Sequence, residues 1–418
     1  MLHRLMAAIL ACFLTIFFIV QIAAAKIITA NSCSQPDTQL AIDSAVDGDI
    51  VEIPSGRCSW NNSVRVSKGI TIIGAGINRS IITDTRRSPQ TWGLFRVDSD
   101  ANENTRISGI EFDGRNNKQI SVTGYGGPDG LKKFRIDHCK FTFSHNQTIL
   151  ISGQYGIIDS CIFEGNPDDG IIFIRHGVGR WCEPNDFGTD KFVFIEDNQF
   201  NLNTNGAGDT VDSGDGARWV FRYNTVYNAD VEAHGCDSEY SGVRAYEVYN
   251  NNWIFENGGG KNGRVMNFRG GTGVIYNNTV TLEPQHRISQ FIALNTYRIT
   301  TAYSRCRASA DRCSGGEGYP CYDQIGRGRG SGSNCAINQE FDPVYIWNND
   351  CAGSNCPSSD VYVSGAVSGY IDANDDYYLN AGAKPGYSAF SYPYPLRVQS
   401  GNPLPSAPTN LRIISSLE

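Results

Sequence analysis

One short phrase recurs along this chain and limits what it can fold into. An apolar residue and a polar one lead to Asn or Cys, then any residue, then another apolar one. It reads "RIDHCKF" at Cys139, "IIDSCIF" at Cys161, "FIEDNQF" at Asn198, "FRYNTV" at Asn224, "VYNNNW" at Asn251, "IYNNTV" at Asn278 and "YIWNND" at Asn349. "RISGIEF" puts Ile110 at the same position. Successive spacings are 29, 22, 37, 26, 27, 27 and 71, so four fall between 26 and 29 and the long gaps carry insertions. A strand-sized phrase at this period indicates a solenoid. Each coil alternates apolar and polar residues over four to six positions, with Gly and Asn at the bends, which is strand patterning. The Leu-x-x-Leu-x-Leu of a leucine-rich repeat is absent. Stacked coils of this kind form an all-β, single-stranded parallel β-helix. The repeated Asn then falls at one bend in every coil, where side-chain amides can form a ladder and Asn tolerates the left-handed backbone that the bend needs.

Domain expectations follow. Arg4 and an apolar run ending in Ala23-Ala24-Ala25 predict a signal peptide over residues 1–25. Left uncleaved, the run is long enough to serve as an anchor, and no later stretch could span a bilayer. The chain is therefore expected to be secreted or periplasmic. Of its 13 cysteines only Cys12 lies in that segment, and the even remainder, with no Cys-x-x-Cys pair, predicts disulfides rather than metal thiolates. Residues 26–398 read as one β-helix domain, with 26–95 the N-terminal cap and first coils and "DTQLAIDSAV", Asp37 to Val46, a capping helix. A Cys-rich and Gly-rich loop insertion is expected over 301–342, with Cys306–Cys313 and Cys321–Cys335 expected to pair locally, as is Cys351–Cys356 beyond it. Cys139 and Cys161, at equivalent positions in adjacent coils, are expected to stack or bond. Residues 399–418 form a tail.

The formal charge of −8 makes the chain a poor general binder of nucleic acid or of anionic membranes. A polyanionic partner requires a local basic site.

"AIDSAVDGDIVEIPSGRCSWNNSVRVSKGITIIGAG", Ala41 to Gly76, resembles the N-terminal cap and first coil of the pectin-lyase-like superfamily of right-handed parallel β-helices. The Gly-rich "GAGINRS" lacks the Lys-Ser/Thr ending and following helix of a phosphate loop. The resemblance implies the fold more strongly than any reaction.

Measured from the ladder Asn of each coil, His234 and Lys261 share an offset of ten, and Asp237 and Arg264 an offset of thirteen. Asp209 and Asp212 lie at eleven and fourteen. In register, these residues form three neighbouring rungs on one side, flanked by Arg269 and Arg298. Ahead of the next ladder position lie Lys191, Arg218 and Arg244, with Glu247 three beyond Arg244 as a surface ion pair or a substrate contact. Asp209, Asp212 and Asp215 offer oxygen ligands to Ca²⁺, without the spacing of an EF-hand. His138 and His176 read as structural.

Three functions fit this face. The first is β-elimination on a uronic-acid polysaccharide. Lyases of the superfamily neutralise the substrate carboxylate with Ca²⁺ or Arg/Lys and take the proton with Arg, Lys or His. By resemblance, Arg264 or Arg244 would clamp the carboxylate and Lys261 or His234 would be the base. Arg269, Arg298, Lys191, Arg218, Asp237 and Glu247 would line the substrate. The second is hydrolysis of polygalacturonase type, whose motif order is echoed by Asp168-Asp169, Asp209, Asp212, His234 and Arg244 or Arg264 with no motif intact. The third is a non-catalytic glycan-binding or adhesin β-helix using Trp181, Trp219 and Trp253 as surface aromatics. Lyase ranks first, acting as a monomer on acidic polysaccharide.

Overall fold

The computed structural model describes residues 24–87, 89–98, 103–114, 117–124, 133–142, 147–165, 170–177, 181–202, 208–235, 242–256, 263–295, 325–330, 340–365, 368 and 371–398. Lys261, Arg298, Asp237, Asp168, the cysteines from Cys306 to Cys335, the tail and nearly all of the signal segment lie outside them.

Every strand pairing between successive coils is parallel, and each coil contributes one strand to each of three long faces. A twelve-stranded sheet runs from Ile27–Thr29 to Tyr377–Leu379, and a ten-stranded sheet from Gly56–Trp60 to Asp350–Cys351. The third face begins as a six-stranded sheet from Val64–Val66 to Val211–Gly214. It continues as a four-stranded sheet from Val231–Ala233 to Val361–Val363. The coils wind as a right-handed parallel β-helix, the sense that a right-twisted strand imposes on such crossovers.

The alternation read from the sequence sorts side chains as expected. In the ten-stranded sheet Phe112, Phe141, Phe163 and Phe200 are in register and stack inside the coil at 5.0, 5.0 and 4.7 Å between ring centroids. The ladder is continuous. The Oδ1 of Asn198, Asn224, Asn251, Asn278 and Asn349 accepts from the backbone N–H of Cys161, Asn198, Asn224, Asn251 and Asn278 at 2.9, 2.9, 3.0, 3.2 and 3.2 Å. One detail differs from expectation. The left-handed residue is the one before the ladder position, with φ of 54° at Asp197, 57° at Tyr223, 57° at Asn250 and 54° at Asn277. The ladder Asn is thereby free to turn its amide along the helix axis. Cys139 and Cys161 occupy ladder positions as free, buried thiols that stack against one another without a disulfide.

The cap helix spans Gln35–Ser44, two residues earlier than its sequence signal, because Ser34 caps it and Pro36 fits its first turn. The Cys33–Cys58 disulfide ties it to the first coil, and Cys351–Cys356 closes a loop as predicted.

The outer face of the twelve-stranded sheet is covered. Residues 384–398 run along it, with Arg222 donating to the carbonyls of Phe390 and Ser391 at 2.8 Å each and Arg135 to that of Leu396 at 2.9 Å. Beneath lie a second apolar cluster, including Phe194, Val220, Tyr249 and Tyr394, and a charge ladder of Arg106–Asp137, Arg135–Asp159 and Arg222–Glu196 pairs.

Candidate functional site

The charged residues singled out by their offsets separate into two clusters. The first sits on the third face, where the six-stranded sheet gives way to the four-stranded one. Along Asp230, Val231, Glu232, Ala233 and His234, the two apolar residues enter the core and the three polar ones point outward. Thr210 secures this strand to the preceding coil, its N–H and hydroxyl both donating to the Asp230 carbonyl, at 2.8 and 3.0 Å. The His234 N–H donates to the Ser213 carbonyl at 2.8 Å. Gly235 follows because the Arg269 carbonyl stands 2.4 Å from where a Cβ would be.

On this frame His234 Nε2 lies 3.0 Å from Asp212 Oδ1 and 3.8 Å from Glu232 Oε1. Arg264, from the next coil, spans Asp230 and Glu232 at 2.9 Å each, and Arg269 reaches Glu232 at 2.5 Å. Burial pushes the Glu232 carboxyl up, but the neighbouring Arg269, Arg264 and His234 charges outweigh it and hold Glu232 below the ordinary carboxylate range. Glu232 is therefore ionised and poor as a proton donor. The His234 side chain is 20% exposed, against 4% for Asp212 and 7% for Arg264, so it is the member most open to a substrate.

Asp209, Asp230 and Glu232 each present a carboxylate oxygen, all within 4.8 Å of one another. Asp230 Oδ1 is buried with no hydrogen-bond partner. Three buried carboxylates at this spacing could bind a metal ion. Of the trio expected from sequence, only Asp209 is in this group. Asp212 turns to His234, and Asp215 sits in a left-handed turn at φ 48°, its carbonyl accepting from the His176 N–H at 3.1 Å. Asp230 and Glu232 were missed, although their alternation with His234 along one strand was the available signal.

The second cluster lies on the outer face of the twelve-stranded sheet, under residues 181–192. Lys191 and Arg218 both reach Asp186, at 3.4 and 3.2 Å. Arg244 donates to the Glu183 carbonyl at 3.1 Å, stacks over Trp181 and lies 3.7 Å from Asp342. Glu247 does not form the surface pair with Arg244 considered from sequence. It is buried, accepting from the Gly188 N–H at 2.8 Å and the Tyr387 hydroxyl at 2.7 Å. His138 and His176 are held as structural residues, by Asp137 and by the Gln154 carbonyl. The expectation that Trp181, Trp219 and Trp253 are surface aromatics is overturned, since none is more than 1% exposed. Trp219 and Trp253 fall on inward positions of their strands, and Trp181 is enclosed beneath Arg244.

No known family matches the chain, and no curated protein matches it. Among solved structures it is similar to an alginate lyase from Paenibacillus sp. strain FPU-7, at 12% identity and a TM-score of 0.41, covering 80% of this chain and 99% of that one. The A-module of a mannuronan C-5 epimerase from Azotobacter vinelandii matches at 12% identity and a TM-score of 0.42, covering 85% and 95%. The tailspike of Escherichia coli bacteriophage HK620 matches at 12% and 0.38, covering 82% of this chain and 55% of that one. By its own strand pairing, the chain is a right-handed parallel β-helix with a buried acidic triad beside a histidine and two arginines.

Proposed function

We propose that this protein is a secreted or periplasmic carbohydrate-active enzyme that cleaves a uronic-acid polysaccharide by β-elimination, as a monomer. The observation that carries the reading is the convergence, from three successive coils, of His234, the most exposed member, with Asp212, Arg264, Arg269 and the acidic triad. The disulfides fit an oxidising compartment, and among the described residues no helix is long and apolar enough to cross a membrane.

Elimination needs a base for a weakly acidic proton and a counter-charge for the adjacent carboxylate. In its neutral form His234, held to Asp212 through Nε2, takes the proton beside the carboxylate. The electron pair left on that carbon forms the new double bond as the bond to the glycosidic oxygen breaks, and the imidazolium returns the proton to that leaving oxygen. Asp209, Asp230 and Glu232 would hold Ca²⁺, which when bound supplies charge neutralisation at the uronate carboxylate. Arg264 and Arg269 keep Glu232 ionised and fixed in place. Lys261, beyond the described residues, stands as the alternative base. Arg244, Lys191, Arg218 and Glu247 belong to the second cluster and act by holding residues 181–192 and the carboxy-terminal segment against the sheet. Hydrolysis is the second choice, because a carboxyl held ionised by two arginines cannot protonate a leaving group. A glycan-binding protein is third, its expected aromatic surface being buried.

The test incubates the mature protein with pectic, alginate and glycosaminoglycan polymers, with and without calcium, following ultraviolet absorbance of a new conjugated double bond alongside new reducing ends. Both should rise together, and only when calcium is present. Reducing ends without absorbance would replace elimination by hydrolysis.

A further inference from the structure

The third face carries a second feature, apart from the rung of His234. A cavity of about 510 Å³ opens on the outside of the six-stranded sheet, with Trp92, Lys118, Gln147, Leu150, Ser152 and Arg175 among its walls. It lies on the path to the candidate site. Asp212 pairs in register with Phe173, Phe173 with Leu150, and Arg175 with both Gly214 and Ser152. At roughly 4.8 Å between strands, Leu150 is about 10 Å from the rung of Asp212 on the same outward column.

The wall is electrostatically uncompensated. Among the described residues neither Lys118 nor Arg175 has a carboxylate partner, whereas the neighbouring Arg86 is paired with Asp84 at 2.7 Å. Among the described residues Lys118 donates to the Gln90 carbonyl alone, at 3.4 Å. The Arg175 guanidinium lies over the Phe173 ring at 4.7 Å, and its Nε is buried without a hydrogen-bond partner. Burial, followed by the charges of Arg175 and Arg86, draws the Lys118 ammonium below its ordinary range. Two cations thus line one cavity without an acid, in a chain with a formal charge of −8. An anion entering between them relieves that repulsion. The Trp92 ring and the Leu150 side chain add the apolar surface on which a pyranose ring packs.

We infer that this cavity is a distal subsite for carboxylate-bearing sugars, in which Lys118 and Arg175 attract the uronate carboxylates of a chain whose other end reaches His234. The inference rests on the proposed substrate class but not on elimination. It accounts for how an acidic protein retains an acidic polymer: the attraction is confined to one cavity, with the site for chemistry a few strands away.

The experiment is calorimetric titration of the full protein with short oligogalacturonate, oligoalginate and hyaluronan oligomers, with a neutral cello-oligosaccharide as control. Wild type should bind at least one uronate oligomer, more weakly at high salt, and not the neutral one. The Lys118→Gln/Arg175→Gln double variant should lose about tenfold or more in affinity. In a turnover assay it should raise KM for polymer and leave kcat near wild type. Ser152→Glu is the second variant, since it places a carboxylate beside Arg175 without removing either cation, and it should weaken binding similarly. Wild-type affinity in both folded variants, or equal binding of neutral and acidic oligomers, overturns the subsite. Uronate binding that depends on Lys118 and Arg175 in a protein that makes no unsaturated product keeps the subsite and discards the lyase.

Discussion

At the scale of single residues, neighbours decide what each charged group does. His234 and His176 both lie next to a coil bend. One is bonded to a carboxylate and 20% exposed, while the other spends both ring nitrogens on the backbone, Nδ1 accepting from the Arg218 N–H at 3.1 Å. The His234→Gln variant should therefore lose about 10²- to 10⁴-fold in kcat while its stability stays within about 1 kcal/mol of wild type. Progress curves and thermal melts of the same preparations check both. Unfolding of the variant at ordinary temperature would instead make His234 structural. Glu247 provides a pH test. Burial raises its carboxyl above the ordinary range, against the Gly188 N–H, the Tyr387 hydroxyl and Arg222, which favour the ionised form. A raised carboxyl pKa in the folded state means that the group's contribution is fully present below its unfolded pKa and is lost as pH rises through the folded one. Glu247→Gln keeps an acceptor for Gly188 and removes the ionisation. It should melt higher relative to wild type at pH 7 than at pH 4, and a gap independent of pH would refute this account.

At the scale of elements, the bend ladder is the repeated device. Asn251 accepts from the Asn224 backbone at 3.0 Å and donates to the Phe221 carbonyl at 2.8 Å and to Asn278 at 3.0 Å, all buried. Asn251→Ala leaves several of these groups unsatisfied and should cost about 2–3 kcal/mol, read from denaturant midpoints. Asn349, partly buried at the end of the ladder, should cost less when changed to Ala. Equal costs would mean that the ladder is not held by its buried hydrogen bonds. Most of this element was legible: the phrase at Asn198, Asn224, Asn251, Asn278 and Asn349 gave the coil, the bend and the ladder. The left-handed residue was misplaced by one, because a side chain that bonds the next coil and a backbone that turns the corner both favour Asn, and composition cannot separate the two demands. The strand Asp230–His234 was legible as alternation. That Arg264 would neutralise Asp230 and Glu232 was not, because a short-range pattern carries no information on which side chain of the next coil lies above.

For the whole molecule, the decisive feature is that the carboxy-terminal segment closes the outer face of the twelve-stranded sheet and not the face that carries His234. Residues 384–398 lie across the twelve-stranded sheet and bury its charge ladder, with Arg397 bonded to Asp159, Glu196 and Asp197. Tyr394, 1% exposed, packs on Phe194 with ring centroids 4.6 Å apart. Tyr394→Ala should cost about 3 kcal/mol with KM unchanged, because the substrate face is elsewhere. A changed KM at unchanged stability would place the substrate under this segment. Closure of that face also explains what Lys191, Arg218, Arg244 and Glu247, read from sequence as substrate-side charges ahead of the next ladder position, do instead: their offsets assign them to a coil position but not to a covering segment. What the sequence determined by itself was local and periodic: the coil length, the strand alternation, the bend Asn, the cap helix and the Cys351–Cys356 pair, all set by residues near one another or one repeat apart. Only the tertiary structure decided which carboxylates meet at Asp209, Asp230 and Glu232, which tryptophans are buried, and which face the carboxy-terminal segment covers. Those outcomes depend on lateral stacking and on a segment from the far end of the chain, where distance in sequence no longer reports distance in space.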